Sequence, residues 1–212
     1  PKDLALVSDL ALKWLVKMLN CIEQGAEWPD STKTTRAVFL PKDPTDTQNP
    51  LAYRILKISS ALYRRWGTAS NKRLERWINT WDHKAINAGV PTKGAVDAWY
   101  DTAIWNELHI ANGENVAGGS IDIYKCFDQL NRPLLEKLAN AAGMPKRISE
   151  PYFRFINQAE CKFQTGEKLC TKHKTKCSIP QGCPFSMMMV ALLMTPWIAA
   201  MEEINIKPRV LA

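Results

Sequence analysis

Two short strings carry residue types that could do chemistry. In SIDIYKCFDQL, Asp122 stands inside an apolar run, Phe127 follows five positions later, and Asp128 comes directly after it. A carboxylate near the end of a strand suits hard divalent cations, and cations held by carboxylates beside a phosphorus stabilise the charge of phosphoryl transfer. Taken alone, the same aspartate reads as a cap or as half of a salt bridge. About 60 residues further on, Ser178-Ile179-Pro180-Gln181-Gly182-Cys183-Pro184-Phe185-Ser186 leads into an apolar helix. A glutamine amide and a glycine at a loop-to-helix junction offer hydrogen bonds and close backbone approach, which suit a nucleotide stacked on a template base. In this order and at this separation the two strings are far more specific together than either is by itself.

The elements that must position them follow from periodicity and from chain breakers. Leu4, Val7, Ala11, Trp14, Leu15, Met18 and Ile22 recur at three- and four-residue steps, which predicts an amphipathic helix over 4–22 ended by Gly25 and Pro29. The runs RAVFL (36–40) and YRILKI (53–58) flank a Pro/Asp/Thr-rich link, which predicts a two-stranded projection with an exposed tip. Ser59 or Ser60 can cap a helix running to about Trp81, and another helix is expected over 93–110. Gly118 and Gly119 precede an expected strand over 120–124 with Asp122 as its lone acid. Helices are expected over 133–142, 149–158 and 184–201, a hairpin around Thr165-Gly166, and the start of a strand at 206–211. There is no internal repeat and no low-complexity tract.

With these residues in place, the sequence resembles the reverse transcriptase family, particularly the polymerases of non-LTR retroelements, the retrotransposons. Residues 122–128 look like that family's motif A, and residues 180–186 look like its motif B with the Gln-Gly pair intact. Upstream, Trp28-Pro29, RAVFLPK ending at Lys42, Tyr53-Arg54 and Arg73-Leu74 are similar to its fingers motifs, and NAGVPTKGAVDA (87–98) fits the segment before motif A. The resemblance runs from about residue 15 to the end. One departure is Ile55, where the family more often has proline after the arginine, so the turn after Arg54 stays open.

The resemblance implies an α+β right-hand polymerase fold, with a fingers-like region over 1–113 and a partial palm over 114–212. It implies RNA-templated DNA synthesis on an RNA template and DNA primer from deoxynucleoside triphosphates, with two Mg²⁺ or Mn²⁺ ions. Asp122 and the Ile123 carbonyl would hold metal. Lys42 and Arg54 would neutralise the triphosphate, since an ammonium and a guanidinium fork suit phosphate oxygens. Phe127 would be the steric gate beneath the sugar, and Gln181 and Gly182 would contact nucleotide and template. The family's motif C, an Asp-Asp pair after the motif B helix, is absent, because no Asp-Asp dipeptide occurs in the sequence. Pro1 and Ala212 look like cut ends, with 209–212 resembling the strand that would lead into that pair. The expectation is therefore a fragment that is inactive alone.

Composition bounds the partners. With 46% apolar and 23% charged residues in 212, the chain should fold as one unit. Its net charge of +7 and pI near 9.1 favour polyanions. Between 54 and 76 seven cations face Glu75 alone, with Trp66 and Trp77 interleaved. That pattern predicts template binding at Arg64, Arg65, Lys72, Arg73 and Arg76, with the tryptophans as stacking surfaces. Lysines 162, 168, 172, 174 and 176 form a second, weaker patch.

No window of about 18 apolar residues could span a bilayer and no signal peptide is present, so the expectation is a soluble intracellular protein, nuclear or cytoplasmic, with no membrane partner. The six cysteines read as reduced thiols, with Cys126 and Cys183 packing near the site. Cys161, Cys170, His173 and Cys177 lack the tight Cys-x2-Cys spacing of structural zinc. Two rival readings stay open: an RNA-dependent RNA polymerase, which would prefer a small or acidic residue at Phe127, and a non-catalytic remnant that only binds nucleic acid.

Overall fold

Two of the helix starts in the computed structural model, which describes residues 6–43, 45–46, 48–165 and 168–211, show serine side chains satisfying orphan backbone groups. Leu4, Gly166 and Ala212 lie outside the described residues. The Ala11 amide donates to Ser8 Oγ (3.4 Å) at the start of α1 (Asp9–Glu23), and Gly25, at φ +115°, takes the chain away from its end. A single turn, α2 (Asp30–Lys33), leads into β1 (Thr34–Pro41). A 3₁₀ turn (Pro50–Ala52) enters β2 (Tyr53–Ile58). Ser60 then caps α3 (Ala61–Arg73) by accepting from the Tyr63 amide at 3.2 Å, as the sequence suggests.

After α3 come α4 (Glu75–Ile78), α5 (Ala95–Ala111), the one-turn α6 (Cys126–Gln129), α7 (Arg132–Ala141) and α8 (Lys146–Gln158). The chain ends with β3 (Glu160–Thr165), β4 (Lys168–His173) and α9 (Ser186–Glu203). Among the described residues no helix is long and apolar enough to cross a membrane.

The strands form one sheet of order β2-β1-β3-β4. β1 runs antiparallel to β2, with Arg36 opposite Ile58 and Leu40 opposite Arg54. It runs parallel to β3, with Thr35 opposite Cys161, and β4 closes the far edge antiparallel to β3. The two expected hairpins are thus both present, but β1–β2 is half of a mixed sheet and not a free two-stranded projection. The reason is energetic, since an isolated two-stranded ribbon is marginal in water and gains stability from further strands.

Other expectations are corrected. Residues 120–124, read as a strand, are irregular and exposed, with Ile121 82% accessible. A strand exists through its ladder, and among the described residues this segment has no ladder partner. Residues 206–211 make only an isolated parallel bridge from Val210 to Ile86, held in place by Arg209 near Asp101 (3.5 Å) and Lys207 over the Trp105 ring (5.1 Å). The helix expected to run to Trp81 breaks at Leu74 into α3 and α4. α8 starts at Lys146, before the expected 149, and carries Pro151 inside it.

The core is an aromatic cluster. Trp28, 1% exposed, donates its indole N–H to the Pro151 carbonyl (2.9 Å) and meets Tyr63, Trp66 and Phe155 edge-on at 5.3–5.5 Å. Tyr63 stacks on Phe155, and Trp66 and Tyr152 meet Phe185 edge-on. Each such pair adds about 0.5–1.5 kcal/mol beyond area burial. Rings from α3 and α8 therefore anchor Phe185, the residue from which α9 departs.

Gly89, at φ +74°, lies against the first turn of α9: a Cβ there would sit 2.3 Å from the Met187 carbonyl oxygen. Gly143 has a similar φ of +71° with nothing within 4 Å of its Cβ position. Gly143→Ala should lower unfolding stability by about 1–2 kcal/mol from backbone strain alone. Gly89→Ala should cost at least about 1–3 kcal/mol more from overpacking. Urea midpoints compare the two, and equal losses would show that Gly89 tolerates a methyl group.

Candidate active site

The two strings that the sequence singles out lie side by side. Lys125, at φ +47°, turns the chain into α6, where the Asp128 amide donates to the Lys125 carbonyl at 2.9 Å. From there, the Phe127 carbonyl accepts from the Ile179 amide (2.9 Å) and the Leu130 carbonyl from the Ser178 amide (2.9 Å). Cys177 Sγ donates to the Asp128 carbonyl at 3.4 Å. Arg132 fixes the same pair of segments from behind. Its Nε donates to the Ser178 carbonyl (2.8 Å), Nη1 to the Thr175 carbonyl (3.0 Å), and Nη2 to Thr175 Oγ1 (2.8 Å) and the Cys177 carbonyl (3.1 Å). Ser178 itself sits at φ +83°, a conformation that L side chains seldom adopt, and its hydroxyl accepts from the buried Lys57 ammonium at 2.6 Å.

The turn that follows is closed on itself. Cys183 N–H donates to the Pro180 carbonyl (3.0 Å), and Ser186 Oγ donates to the carbonyls of Pro180 (2.8 Å) and Cys183 (2.9 Å). Gly182, exposed, is required by its φ of +93° rather than by space, because the nearest atom to a Cβ there would be the Lys57 carbonyl oxygen at 3.9 Å. Gln181 beside it is half-buried, and Phe127 is half-buried against the core. Gly67 gives Pro184 room: a Cβ would be 3.0 Å from Pro184 Cγ. Cys183 is buried, its thiol pushed up by burial, and lies 3.2 Å from the Tyr63 hydroxyl.

Asp122 is exposed on the irregular segment ahead of this pair. Burial, and then the Asp122 carboxylate, raise the Cys126 thiol pKa. Asp122 offers one carboxylate, a hard oxygen ligand of the kind that fits Mg²⁺ or Mn²⁺ chemistry. The Ile123 carbonyl accepts from the Cys126 amide at 3.2 Å, leaving one lone pair. Among the described residues no three His, Cys, Asp or Glu side chains converge as a metal site. Cys161, Cys170, His173 and Cys177 accordingly do not gather: Cys161 is buried opposite His173, whereas Cys170 is exposed. Lys42 and Arg54 are both exposed. The Lys42 amide extends the ladder to the Ala52 carbonyl (2.8 Å), and Leu40 faces Arg54, so by parity the two cations share one face of the β1–β2 pair.

The basic stretch divides. Trp66 (3% exposed) and Trp77 (7%) are core residues and not stacking surfaces: their indole N–H groups donate to Glu23 Oε1 (3.0 Å) and the Ala142 carbonyl (2.7 Å). Arg73, expected to hold template, is exposed and also pairs with the buried Glu23 carboxylate and with Ser70 Oγ (2.8 Å). Arg64, Arg65, Lys72 and Arg73 on α3 and Arg76 on α4 are all exposed. Three residues were not legible as site supports: Glu23, Lys57 and Arg132. Two left a signal. Lys57 falls in phase with core-facing Tyr53 and Ile55 along YRILKI, and Arg132 puts a cation at a helix N-terminus, where the macrodipole opposes it.

A mixed α+β chain in which an acid-bearing turn is bonded to a Pro-Gln-Gly turn is the setting in which the comparisons fall. The family model for reverse transcriptase (RNA-dependent DNA polymerase) matches residues 40–207, and the chain belongs to that family. It is 27% identical, over 133 residues, to the retrovirus-related Pol polyprotein from type-2 retrotransposable element R2DM of Drosophila melanogaster. The match covers 62% of this chain and 12% of that protein, so the chain spans a small part of that relative's length.

Glu23 gives this support network a pH signature. Burial works to raise its pKa, but hydrogen bonds from Arg73 and Trp66 and the charges of Arg73 and Arg147 outweigh it and hold the carboxyl below its ordinary 4.5. A carboxyl whose folded pKa is depressed contributes stability above the unfolded value and loses it as pH falls through the folded value. Unfolding stability should therefore drop between about pH 5 and about pH 3, and Glu23→Gln, already weaker at pH 5, should drop less. Urea midpoints at the two pH values test this; parallel losses in both proteins would assign the acid limb to other carboxylates.

Proposed function

We propose that this chain is the nucleotide-selecting part of an RNA-templated DNA polymerase of a non-LTR retrotransposon. The carrying observation is the Ile179–Phe127 hydrogen bond, which seats the Pro-Gln-Gly turn against the turn that follows Asp122. Family membership and the similarity to a retrotransposable element's Pol polyprotein support the reading. In it, residues 1–113 form a fingers-like region and 114–212 a partial palm, with β3 and β4 reaching back into the fingers sheet.

Each residue then has a role. Asp122, with the Ile123 carbonyl, would hold the two Mg²⁺ or Mn²⁺ ions, which when bound would supply charge neutralisation at the transferring phosphoryl group. Lys42 and Arg54, on one strand-pair face, take the triphosphate oxygens of a deoxynucleoside triphosphate. Phe127 lies under the sugar and rejects a 2′-hydroxyl by clash, a selectivity built from repulsion. Gln181 and Gly182 touch nucleotide and template base. Arg64, Arg65, Lys72 and Arg76 meet the phosphates of RNA template and DNA primer. One carboxylate cannot hold two ions against a polyphosphate, so the 212-residue chain does not extend a primer by itself.

Primer extension tests this, run on the 212-residue chain and on the natural open reading frame expressed in full. The expected results are no extension by the chain, extension by the full frame, and a loss of at least about a hundredfold in Asp122→Asn, equivalent to about 2.7 kcal/mol of barrier. Phe127→Ala in the active form should raise the GTP-to-dGTP ratio of kcat/KM by about tenfold or more. An unmoved ratio makes Phe127 a core aromatic only. A full frame that binds primer-template yet never extends it supports the second reading, a nucleic-acid-binding remnant.

Binding has its own test. Affinity of the chain for a labelled oligonucleotide should fall steeply with salt, and removing Arg65 and Lys72 together should reduce the log–log salt slope by about 2, one for each phosphate that is no longer neutralised. Arg73→Ala should instead destabilise the fold. A slope unchanged in the double variant would sink the α3 interface.

A further inference from the structure

Lys57 is a lysine in a place that lysines avoid. Strand register puts it opposite Ala37 on the core side of β2, and only 8% of it is exposed. Burial drives its pKa down, with the Asp128 carboxylate pulling in the opposite direction, so the ammonium is held at a cost. What it bonds is Ser178, the first residue of the Ser-Ile-Pro-Gln-Gly turn, at 2.6 Å. The other polar groups of Ser178 are already committed, its amide to Leu130 and its carbonyl to Arg132. The Lys57 main chain lies beside the far end of the same turn, its carbonyl oxygen being the nearest atom to the Cβ position of Gly182. One residue of β2 therefore touches both ends of the turn, while Arg54, three residues earlier, points from the opposite face by parity.

From this geometry we infer that Lys57 is a positioning residue, a buried clamp that fixes the β1–β2 strand pair against the Gln181–Gly182 turn. The cations on the strand pair and the amide and glycine of the turn then close on one nucleotide as a unit. The inference rests on the polymerase reading for what the clamp serves. A lysine serving only as core filler would be replaceable by methionine, whose unbranched stem packs comparably without the ammonium.

The test pairs two readouts on Lys57→Met, Lys57→Arg and Ser178→Ala, the last removing the same hydrogen bond without changing charge. Amide hydrogen exchange on the 212-residue chain reports the clamp. Exchange at Ser178, Ile179 and Cys183 should rise about tenfold in Lys57→Met and Ser178→Ala while amides of α1 and α8 keep their protection. Steady-state kinetics of the natural open reading frame expressed in full report the purpose. KM for the deoxynucleotide should rise about tenfold with kcat changed less than about twofold, and Lys57→Arg should recover part of the loss. Unchanged exchange, or a uniform rise across the chain, overturns the clamp. Local loosening with an unchanged KM overturns its role in seating nucleotide while the polymerase reading stands. A wild type that never extends a primer counts against the polymerase reading alone, and exchange then decides the clamp.

Discussion

The guanidinium of Arg132 is the constraint on which the site depends. It is buried at the start of α7, where the helix macrodipole repels it, and it stays charged because its N–H groups find three carbonyls and a hydroxyl between Thr175 and Ser178. Removing one side of such an arrangement costs about 1–3 kcal/mol for each acceptor left buried and unpaired. The consequence is geometric before it is energetic. With 175–178 tied to the first residue of α7, the Ser178 and Ile179 amides reach back to Leu130 and Phe127, so the acid-bearing turn and the Pro-Gln-Gly turn meet.

A second support comes from the other side. Phe185 is wedged between Trp66 and Tyr152, Pro184 fits over Gly67, and Cys183 lies on the Tyr63 hydroxyl, so the exit of the turn is set by the aromatic core as its entry is set by Arg132. A five-residue turn held at both ends can keep Ser178 and Gly182 at positive φ, because the surroundings over-determine the strained backbone. Among the described residues Asp122 has no comparable support. The half of the site that would recognise a nucleotide is built from buried, mutually bonded groups, and the half that would hold metal is an exposed carboxylate on an irregular segment.

Much of this was legible in the sequence wherever a local rule decides the outcome. Ser60 caps α3, Pro133 lies in the first turn of α7, and the β-type runs RAVFL and YRILKI are strands. The strings around Asp122 and Gln181 were legible as types and order, and their contact follows from no local rule. What failed depended on partners distant in sequence. The stretch 120–124 has a strand's apolar alternation, yet without a ladder it stays irregular. Trp66 and Trp77 look like stacking platforms beside cations until long-range packing buries them, and Arg73 looks free until Glu23, 50 positions earlier, claims it. The mixed sheet was illegible for the same reason, since the pairing of β1 with β3 joins residues about 125 positions apart.

The cations show how far a net charge can mislead about binding. Of the positives that give the chain +7, several are consumed inside the fold. Arg154 donates to the carbonyls of Ile22 (2.9 Å) and Gly25 (2.9 Å), where the C-terminal dipole of α1 welcomes it. Arg73 pairs with Glu23, Arg132 fixes the 175–178 segment, and Lys57 holds Ser178. A charge already neutralised or fully hydrogen-bonded releases no counterion when a phosphate arrives, so it adds nothing to the salt dependence of nucleic-acid binding. On α3 and α4 the exposed cations are Arg64, Arg65, Lys72, Arg73 and Arg76, and of these Arg73 is already paired with Glu23. What the interior cations Lys57 and Arg132 do is hold the Ser178 end of the turn that carries Gln181.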